Sequence, residues 1–395
     1  MPMSPLSITA FTASCAAGDG RSSILEALRE RRSGLCENDF TEAPLATWIG
    51  RVRGLEMQPL PPSLAKWDCR NNRLAWRGLQ GDGFLESVAA ARERYGTGRI
   101  ALVLGTSTSS IGATEEGYRR LGADGCYPPE LRRPIVHTVH SLGSFVQHAL
   151  GLTGVSVTVA TACSSSAKVF AQAERLMRLD IADAAIVGGV DSLCQSVLFG
   201  FSALELISPL PCQPFDANRR GINIGEAAGF ALLERSGHGP RLLGYGESSD
   251  AHHMSSPHPD GLGARHAITA ALERGGLAPD DIDYINLHGT ASQKNDEVEA
   301  RLVAQLFPAR TRASSTKGWT GHALGAAGIL EAVVSLLALE TGFTPGTLNS
   351  RSLDSACGPQ LRLENGDGHL RHALSHSFGF GGSNCVLLFG QAHLQ

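Results

Sequence analysis

One segment of the chain joins a β-strand to an α-helix directly through a cysteine. Residues Val155–Val159 follow a strand pattern, and apolar residues recur at helical spacing over Ala167–Met177, so Cys163 is predicted to lie on the turn between them. Free backbone N–H groups and the positive end of the helix dipole at such a turn favour the thiolate, the nucleophilic form of cysteine. A buried cysteine that serves only packing is the alternative interpretation.

Strand-like and helical segments alternate along the chain. Strands are predicted at Ile100–Leu104, Val155–Val159, Ala184–Val187, Ile282–Leu287, Ala373–Ser375 and Cys385–Phe389. Helices are predicted at Ser22–Arg31, Gly83–Arg94, Ser164–Leu179, Ala264–Arg274 and Ala323–Leu339. Alternating strands and helices, with strands apolar on both faces, indicate an α/β protein whose sheets are buried between helical layers.

A turn-rich stretch divides the chain into two unequal parts. At 395 residues the chain exceeds the size at which one hydrophobic core usually keeps growing. The segment Arg235–Pro240 is the most plausible internal boundary, which gives parts at 1–238 and 239–395. A strand leads into a chemically distinctive residue in each part, Cys163 in the first and His288 in the second, which hints at a duplication.

The second part contains three polar or glycine-rich loops of interest. His288 follows a strand and precedes Gly289 and hydroxyl residues, while Lys317 and His322 precede a helix rich in Gly and Ala. The loop at Ser375–Asn384 carries three glycines and two phenylalanines between two strands, which predicts a sharply bent backbone. Each feature alone is usually structural, but their joint occurrence at strand ends favours a single site.

The composition excludes several classes of partner. The net charge of −4 and the pI near 6.4 provide no general attraction for nucleic acid or an anionic membrane. Nine scattered cysteines without a Cys-x-x-Cys pair indicate reduced thiols in a cytoplasm and no zinc site. No uninterrupted apolar run of about 18 residues is found, since Glu331 interrupts Ile329–Leu339, and no signal peptide is predicted. We therefore expect a soluble cytoplasmic protein.

Several motifs occur together in one order along the chain. They are Thr161-Ala162-Cys163-Ser164-Ser165, Gly225-Glu226-Ala227-Ala228-Gly229, His288-Gly289-Thr290, Thr316-Lys317, Thr320-Gly321-His322, Gly325-Ala326-Ala327-Gly328 and Phe378-Gly379-Phe380-Gly381-Gly382-Ser383-Asn384. Because it carries these motifs in this order, the sequence closely resembles the elongating β-ketoacyl-acyl-carrier-protein synthases of the thiolase superfamily. The resemblance covers nearly the whole chain. It implies a five-layered α-β-α-β-α sandwich of two pseudo-duplicated halves, and a dimer.

The resemblance also implies roles for particular residues. Cys163, His288 and His322 would form the catalytic triad, with Lys317 and Glu331 organising the histidines. The remaining implied roles are an oxyanion hole from the backbone N–H groups of Cys163 and Phe380, a supporting position for Phe378, and contacts of Thr290 and Ser292 with the pantetheine arm. No metal and no cofactor of its own is expected, because phosphopantetheine is carried by the acyl carrier protein.

The implied reaction is a decarboxylative Claisen condensation. An acyl group held on Cys163 would react with malonyl-carrier to give a β-ketoacyl product. Acidic carrier proteins suggest basic docking residues, for which the candidates are Lys66, Arg70, Arg73, Arg132 and Arg133. The polar Thr108, expected on the wall of the acyl pocket, adds polyene or other specialised polyketide assembly to ordinary fatty-acid synthesis as a possible pathway.

Three other interpretations remain open at this point. A chain-length partner subunit typically lacks the cysteine, so Cys163 argues against that role but leaves a ketosynthase heterodimer, or a homodimer, possible. A Cys-His hydrolase would need an acidic or amide group to orient the histidine and an activated water. A thiolase would need a second catalytic cysteine near the glycine-rich loop, and Cys385 lies just beyond it, on the next strand.

Overall fold

The computed structural model describes residues 3–392, along which strands and helices alternate. The strands are β1 (Leu6–Cys15), β2 (Gly18–Asp19), β3 (Cys36–Glu37), β4 (Trp48–Gly50), β5 (Ile100–Gly105), β6 (Ser156–Val159), β7 (Ala184–Asp191), β8 (Ile224–Gly225), β9 (Ala227–Glu234), β10 (Arg241–Ser249), β11 (Tyr284–Asn286), β12 (Arg312–Ser314), β13 (Phe343–Thr344), β14 (Gly366–Asp367), β15 (His372–Gly379) and β16 (Ser383–Gly390). The α-helices are α1 (Gly20–Arg29), α2 (Arg70–Leu79), α3 (Phe84–Tyr95), α4 (Ile111–Arg119), α5 (Ser141–Ala149), α6 (Ser165–Arg178), α7 (Gln195–Ala203), α8 (Leu262–Gly275), α9 (Gln293–Leu306), α10 (Lys317–Thr320) and α11 (Ala327–Thr341).

The large sheet consists of two halves with the same strand pattern. The first half has the order β6-β5-β7-β9-β1, and the second has the order β12-β11-β15-β16-β10. In each half the first two strand pairs are parallel and the next two are antiparallel. A short antiparallel pairing of β1 with β10 joins the halves. The predicted boundary between residues 238 and 239 lies in the connection from β9 to β10.

Alternate residues of the strands face two different cores, which creates five layers. In β5, Ala101 and Val103 face the central core, whereas Leu102 and Leu104 pack against outer helices α2, α3 and α5. In β16 the alternation repeats, because Leu387 faces the central core with α6 and α11 while the residues beside it face α8 and α9. The order is therefore helix, sheet, helix, sheet, helix. The predicted thiolase-like sandwich is confirmed.

The two central helices touch through a glycine. A Cβ atom built at Gly328 of α11 would lie 2.6 Å from the backbone nitrogen of Ala167 in α6, closer than any normal contact. Small residues at this crossing let the two backbones approach directly, as the Gly- and Ala-rich helix start predicted. The crossing matters for function because α6 begins just after Cys163.

Gly328→Ala should lower the free energy of unfolding by about 1–3 kcal/mol, because the added methyl group overpacks the crossing. Helix propensity alone would give the opposite sign. The matched control is Gly200→Ala in α7, where a Cβ meets no atom within 4 Å, so stability should rise by up to about 1 kcal/mol. Urea denaturation measures both changes. A stabilised Gly328→Ala variant would contradict the close crossing.

One segment passes the length and composition test for a membrane span. Leu324–Thr341 combines a short 3-10 turn with α11, and 89% of it is buried inside the protein. The α11 helix continues through Glu331, the residue that interrupts the apolar run in the sequence. The segment is apolar because it lies at the centre of the protein, where α11 packs against both halves of the sheet and against α6. This segment is a core helix.

The predicted elements are present, with shifted ends. The strand predicted at Ala184–Val187 extends to Asp191, and the strand predicted at Ile282–Leu287 is limited to Tyr284–Asn286. Three long strands were not predicted, namely β1, β9 and β10. Their sequences mix Ala, Gly, Ser and Thr with larger apolar residues, so periodicity alone gives a weak strand signal.

Candidate active site

Cys163 lies on a tight turn between β6 and α6. The residue before it, Ala162, has a φ of 51°, a left-handed conformation that is unfavourable for a residue with a Cβ. Hydroxyl groups hold this turn, since Ser165 Oγ donates to the Ala162 carbonyl at 2.6 Å and Ser164 Oγ donates to the Thr161 carbonyl at 2.9 Å. The surrounding hydrogen bonds thus compensate the strained backbone that presents the cysteine.

The Cys163 side chain is buried, with 5% exposure. Burial raises the pKa of the thiol to about 11, while the backbone N–H of Phe380 and the nearby Lys317 act in the lowering direction. The helix end alone therefore does not produce a resting thiolate, contrary to the expectation from the sequence. The proton of Cys163 must leave when the sulfur attacks, so a neighbouring acceptor is required.

Two buried histidines lie close enough to Cys163 to accept its proton. His288 follows β11 and His322 follows α10, and their ring centroids lie 5.4 Å apart with an interplanar angle of 85°. One donor atom from each histidine and Cys163 Sγ all lie within 4.8 Å of one another. Burial, followed by the charge of Lys317, holds the pKa of both imidazoles well below the usual value. Both rings are therefore neutral at neutral pH.

A buried ion pair supports the loop that carries His288. Lys317 and Glu331 are 2% and 3% exposed, and the Lys317 ammonium group donates to Glu331 and to the backbone carbonyl of His288. Burial raises the pKa of Glu331 to about 7, although Lys317 opposes this change. Lys317 of this pair contacts the main chain of His288. A contact at this position suits the predicted role of the pair in organising the histidines.

Acidification should destabilise the protein in part through His322. In the unfolded chain this imidazole binds a proton below about pH 6.5, whereas burial keeps the folded form neutral. The unfolded state therefore takes up protons first, and stability is lost as the pH falls below about 6.5. Unfolding midpoints measured from pH 7.5 to pH 5 should fall more for the wild type than for His322→Asn. Parallel curves would contradict the burial effect on this group.

A cavity of about 300 Å³ leads to these groups. Its lining includes Cys163, His288 and His322, together with four other residues that the sequence singled out, namely Thr290, Ser292, Phe378 and Phe380. The hydroxyl groups of Thr290 and Ser292 lie 2.9 Å apart and share a hydrogen bond. The Phe380 ring packs 5.6 Å from Phe201, which adds an apolar wall. The predicted triad, hydroxyls and glycine-rich loop therefore meet around one space.

The triad also resembles a set of metal ligands, and it is the only such group of three among residues 3–392. Their ligand atoms all lie within 4.8 Å of one another, so the three groups face one small space that a reacting carbonyl can enter.

Thr108 forms a hydrogen bond with a buried carboxylate. Its hydroxyl donates to Asp191 at 2.6 Å, and this carboxylate also accepts from Thr106 Oγ1 at 2.7 Å and from the backbone N–H of Ser107. Thr108 is not among the residues that line the cavity. Thr108 thus anchors the loop after β5 to a fully buried carboxylate on β7, and its place on the wall of the acyl pocket stays a prediction.

Two of the predicted docking residues form ion pairs within the protein. Arg70 pairs with the buried Glu226 at 2.6 Å, and Arg73 pairs with Asp68 at 2.5 Å, so both guanidinium groups are engaged internally. Their role in carrier docking stays a prediction. The other three candidates are partly or fully exposed and do not line the cavity; they are Lys66, Arg132 and Arg133.

Two basic residues that the sequence analysis did not select as docking sites lie at the cavity. Arg220 and Lys294 are exposed and line it, and neither has an ion-pair partner within residues 3–392. The adjacent Arg219 is instead buried and pairs with Asp354 at 2.7 Å. The unusual Arg219-Arg220 pair was a usable signal, but the sequence does not show which of the two faces outward.

A five-layered fold with a cysteine, two neutral histidines and a backbone N–H aimed at the sulfur defines a thiolase-like acyltransferase. The beta-ketoacyl synthase N-terminal domain model matches residues 72–238, and the C-terminal domain model matches residues 241–351. The chain belongs to the β-ketoacyl synthase family.

Individual relatives agree with this assignment. The mitochondrial 3-oxoacyl-[acyl-carrier-protein] synthase of Arabidopsis thaliana is 38% identical over 64% of this chain and 59% of that protein. The 3-oxoacyl-[acyl-carrier-protein] synthase 2 of Mycobacterium bovis is 32% identical over 75% of each protein. Among solved structures, the ketosynthase ApeO in complex with its chain length factor ApeC from Xenorhabdus doucetiae superposes with a TM-score of 0.90, at 35% identity and 98% coverage of both chains.

Proposed function

We propose that this chain is a ketosynthase subunit that condenses an acyl group held on Cys163 with a malonyl group carried by an acyl carrier protein. The observation that carries the proposal is the cavity in which Cys163, His288 and His322 converge. A nucleophile for acyl transfer and two neutral hydrogen-bond donors for an enolate are the groups that this reaction requires.

The first half-reaction transfers the acyl group to sulfur. Cys163 Sγ attacks the thioester carbonyl of acyl-carrier, and the carbonyl oxygen becomes an oxyanion. The backbone N–H groups of Phe380 and Cys163, which already point at the sulfur, are placed to stabilise that charge. The tetrahedral intermediate collapses with loss of the pantetheine thiolate. The proton lost by Cys163 is passed to that leaving sulfur, with a neutral histidine as the nearest acceptor.

The second half-reaction forms the carbon–carbon bond. The bond between the malonyl carboxylate and its α-carbon breaks, carbon dioxide leaves, and the electron pair becomes an enolate. Neutral His288 and His322 donate hydrogen bonds to the enolate oxygen without giving up a proton. The enolate carbon then attacks the acyl carbonyl on Cys163, and the carbon–sulfur bond breaks with its electrons returning to sulfur. The product is β-ketoacyl-carrier, and the Cys163 thiolate takes up a proton from solvent to restore the thiol.

The chain needs no cofactor of its own in this scheme. The phosphopantetheine arm enters as part of the carrier substrate, and the paired hydroxyl groups of Thr290 and Ser292 lie along the cavity it would occupy. Its amide groups are hydrogen-bond donors and acceptors that suit such hydroxyls. The proposed site of action is the cytoplasm, where nine free thiols would remain reduced.

A second, ketosynthase-like subunit is part of the proposal. Strand β6 pairs with β5 on one side and forms the end of the large sheet, and its residues are only partly buried. An unpaired strand edge of this kind can continue a sheet into another subunit. The similar ApeO is solved in complex with a chain length factor, which supports a heterodimer in which this chain retains the reactive cysteine. A homodimer working in fatty-acid synthesis is the second candidate.

Arg220 and Lys294 are the proposed contacts for an acidic carrier protein. The charge-reversing variant Arg220→Glu/Lys294→Glu should raise the KM for malonyl-carrier about tenfold or more, with a smaller change in kcat, because it replaces attraction by repulsion at the cavity mouth. The same substitution at Arg132 is the control. Steady-state kinetics at 50 and 300 mM salt should show the difference shrinking with salt. An unchanged KM would place docking elsewhere.

Intact-protein mass spectrometry tests the proposed function directly. The wild type is incubated with a panel of acyl-carrier thioesters, alone and with a co-expressed partner subunit, and malonyl-carrier is then added. An acyl adduct that malonyl-carrier discharges into β-ketoacyl-carrier is the expected result, and the panel ranks acyl preference. An adduct discharged by water alone would instead indicate a hydrolase. No adduct under either condition would overturn the proposal.

A further inference from the structure

A buried contact between a histidine and a glutamate next to the catalytic histidine is left unused by the reaction described above. His376 on β15 and Glu299 on α9 have exposures of 0% and 1%, and His376 Nδ1 lies 3.0 Å from Glu299 Oε1. The two residues are separated by 77 positions in the chain. A carboxylate buried this completely is stable only where hydrogen-bond donors surround it.

Glu299 uses its carboxylate to hold the loop that carries His288. Its Oε1 accepts the backbone N–H of His288 at 2.9 Å, and its Oε2 accepts the backbone N–H of Gly289 at 2.8 Å. Lys317 binds the carbonyl of His288 from the other side. The main chain of the catalytic histidine is therefore held by one buried anion and one buried cation.

The contacts of Glu299 define the hydrogen-bonding state of His376. Both oxygens of Glu299 already accept backbone N–H groups, so we assign the hydrogen in the contact with His376 to Nδ1. The Nε2 atom of His376 is buried and has no partner within residues 3–392. The His376 ring also packs 5.2 Å from Phe378, whose ring lies 6.1 Å from that of His288.

We propose that His376 is a positioning residue for His288. By donating to Glu299, it keeps the carboxylate oriented toward the N–H groups of His288 and Gly289, and so holds the His288 ring where it meets the enolate oxygen. Its target is the decarboxylation step, and this part of the inference rests on the proposed function. Acyl transfer to Cys163 depends on a different element, the turn before α6, and should be largely independent of His376.

The substitutions His376→Asn and His376→Leu form a matched pair. The Asn amide nitrogen branches from Cγ as His Nδ1 does, so it can donate to Glu299, whereas Leu has a similar shape and no donor. His376→Leu should lower kcat for malonyl-carrier decarboxylation about tenfold to a hundredfold, because a small displacement of a catalytic group has effects of this size. The KM and the rate of Cys163 acylation should change less than about threefold. His376→Asn should restore most of kcat.

Hydrogen exchange tests the same role without relying on activity. The backbone amides of His288 and Gly289 should exchange about tenfold faster or more in His376→Leu, and at the wild-type rate in His376→Asn. Unchanged exchange, or equal losses of kcat and acylation rate in both variants, would overturn the positioning role. A wild type that holds these amides protected but decarboxylates no malonyl-carrier would contradict the proposed function while the structural role of His376 stands.

Discussion

Cys163→Ala should abolish condensation, with a loss of at least about 10⁴-fold, because the acyl group can no longer be held on the protein. The sulfur is the one group in the cavity that forms a covalent bond with the acyl chain. Decarboxylation of malonyl-carrier should persist within about tenfold, since His288 and His322 are untouched and the methyl group leaves their surroundings intact. Product formation and carbon dioxide release, measured in parallel, separate the two activities.

The control for this variant is Cys126→Ala, which removes an exposed thiol away from the cavity lining. It should keep wild-type condensation and lose only nonspecific labelling by alkylating reagents. Condensation that survives Cys163→Ala would contradict covalent catalysis at this residue. In that case another thiol, such as the fully buried Cys385 on β16, would have to become accessible.

The double variant His288→Ala/His322→Ala should show the opposite pattern. Decarboxylation and condensation should fall by at least about 10³-fold, because removal of a single oxyanion donor typically lowers kcat by about 10²–10³. Acylation of Cys163 should remain detectable, although slower, since its oxyanion is stabilised by backbone N–H groups rather than by the two rings. Intact mass after exposure to acyl-carrier and carbon dioxide release from malonyl-carrier are the two measurements.

The single variants allow a sharper comparison. Effects of residues that act on one oxygen atom are usually not additive, so each single variant should already lose most of the decarboxylation rate. Strict additivity of the two losses would indicate that the histidines act in separate steps. Equal losses of acylation and decarboxylation would instead indicate a general collapse of the site, which the unfolding midpoints of the variants would reveal.

Local sequence predicted much of the fold because the relevant signals are short. The strand before Cys163 and the helix after it are set by side chains within about twenty positions, and the observed bounds agree closely with the predicted ones. The layered α/β class followed from the alternation of such segments. Strands β1, β9 and β10 were not found because their small residues carry little periodicity, and their place in the sheet depends on distant partners.

The contacts of Thr108 and Arg70 could not be predicted from the sequence. Each of these residues bonds to a carboxylate that folding brings alongside it: Thr108 to Asp191, which is 83 positions away, and Arg70 to Glu226, which is 156 positions away. A buried carboxylate binds the nearest donors more strongly than solvent would. A basic or hydroxyl side chain can therefore bind a carboxylate inside the protein even where the surrounding sequence indicates a role at the surface.

The sequence by itself determined which residues have reactive chemistry and that they follow strands, because strand periodicity, glycine turns and the types of the residues are local properties. Tertiary structure decided how that chemistry is controlled. Desolvation raises the pKa of Cys163 and keeps His288 neutral, and Glu299 reaches His376 only when α9 packs beside β15. These effects depend on distances between groups far apart in the chain, and folding alone sets those distances.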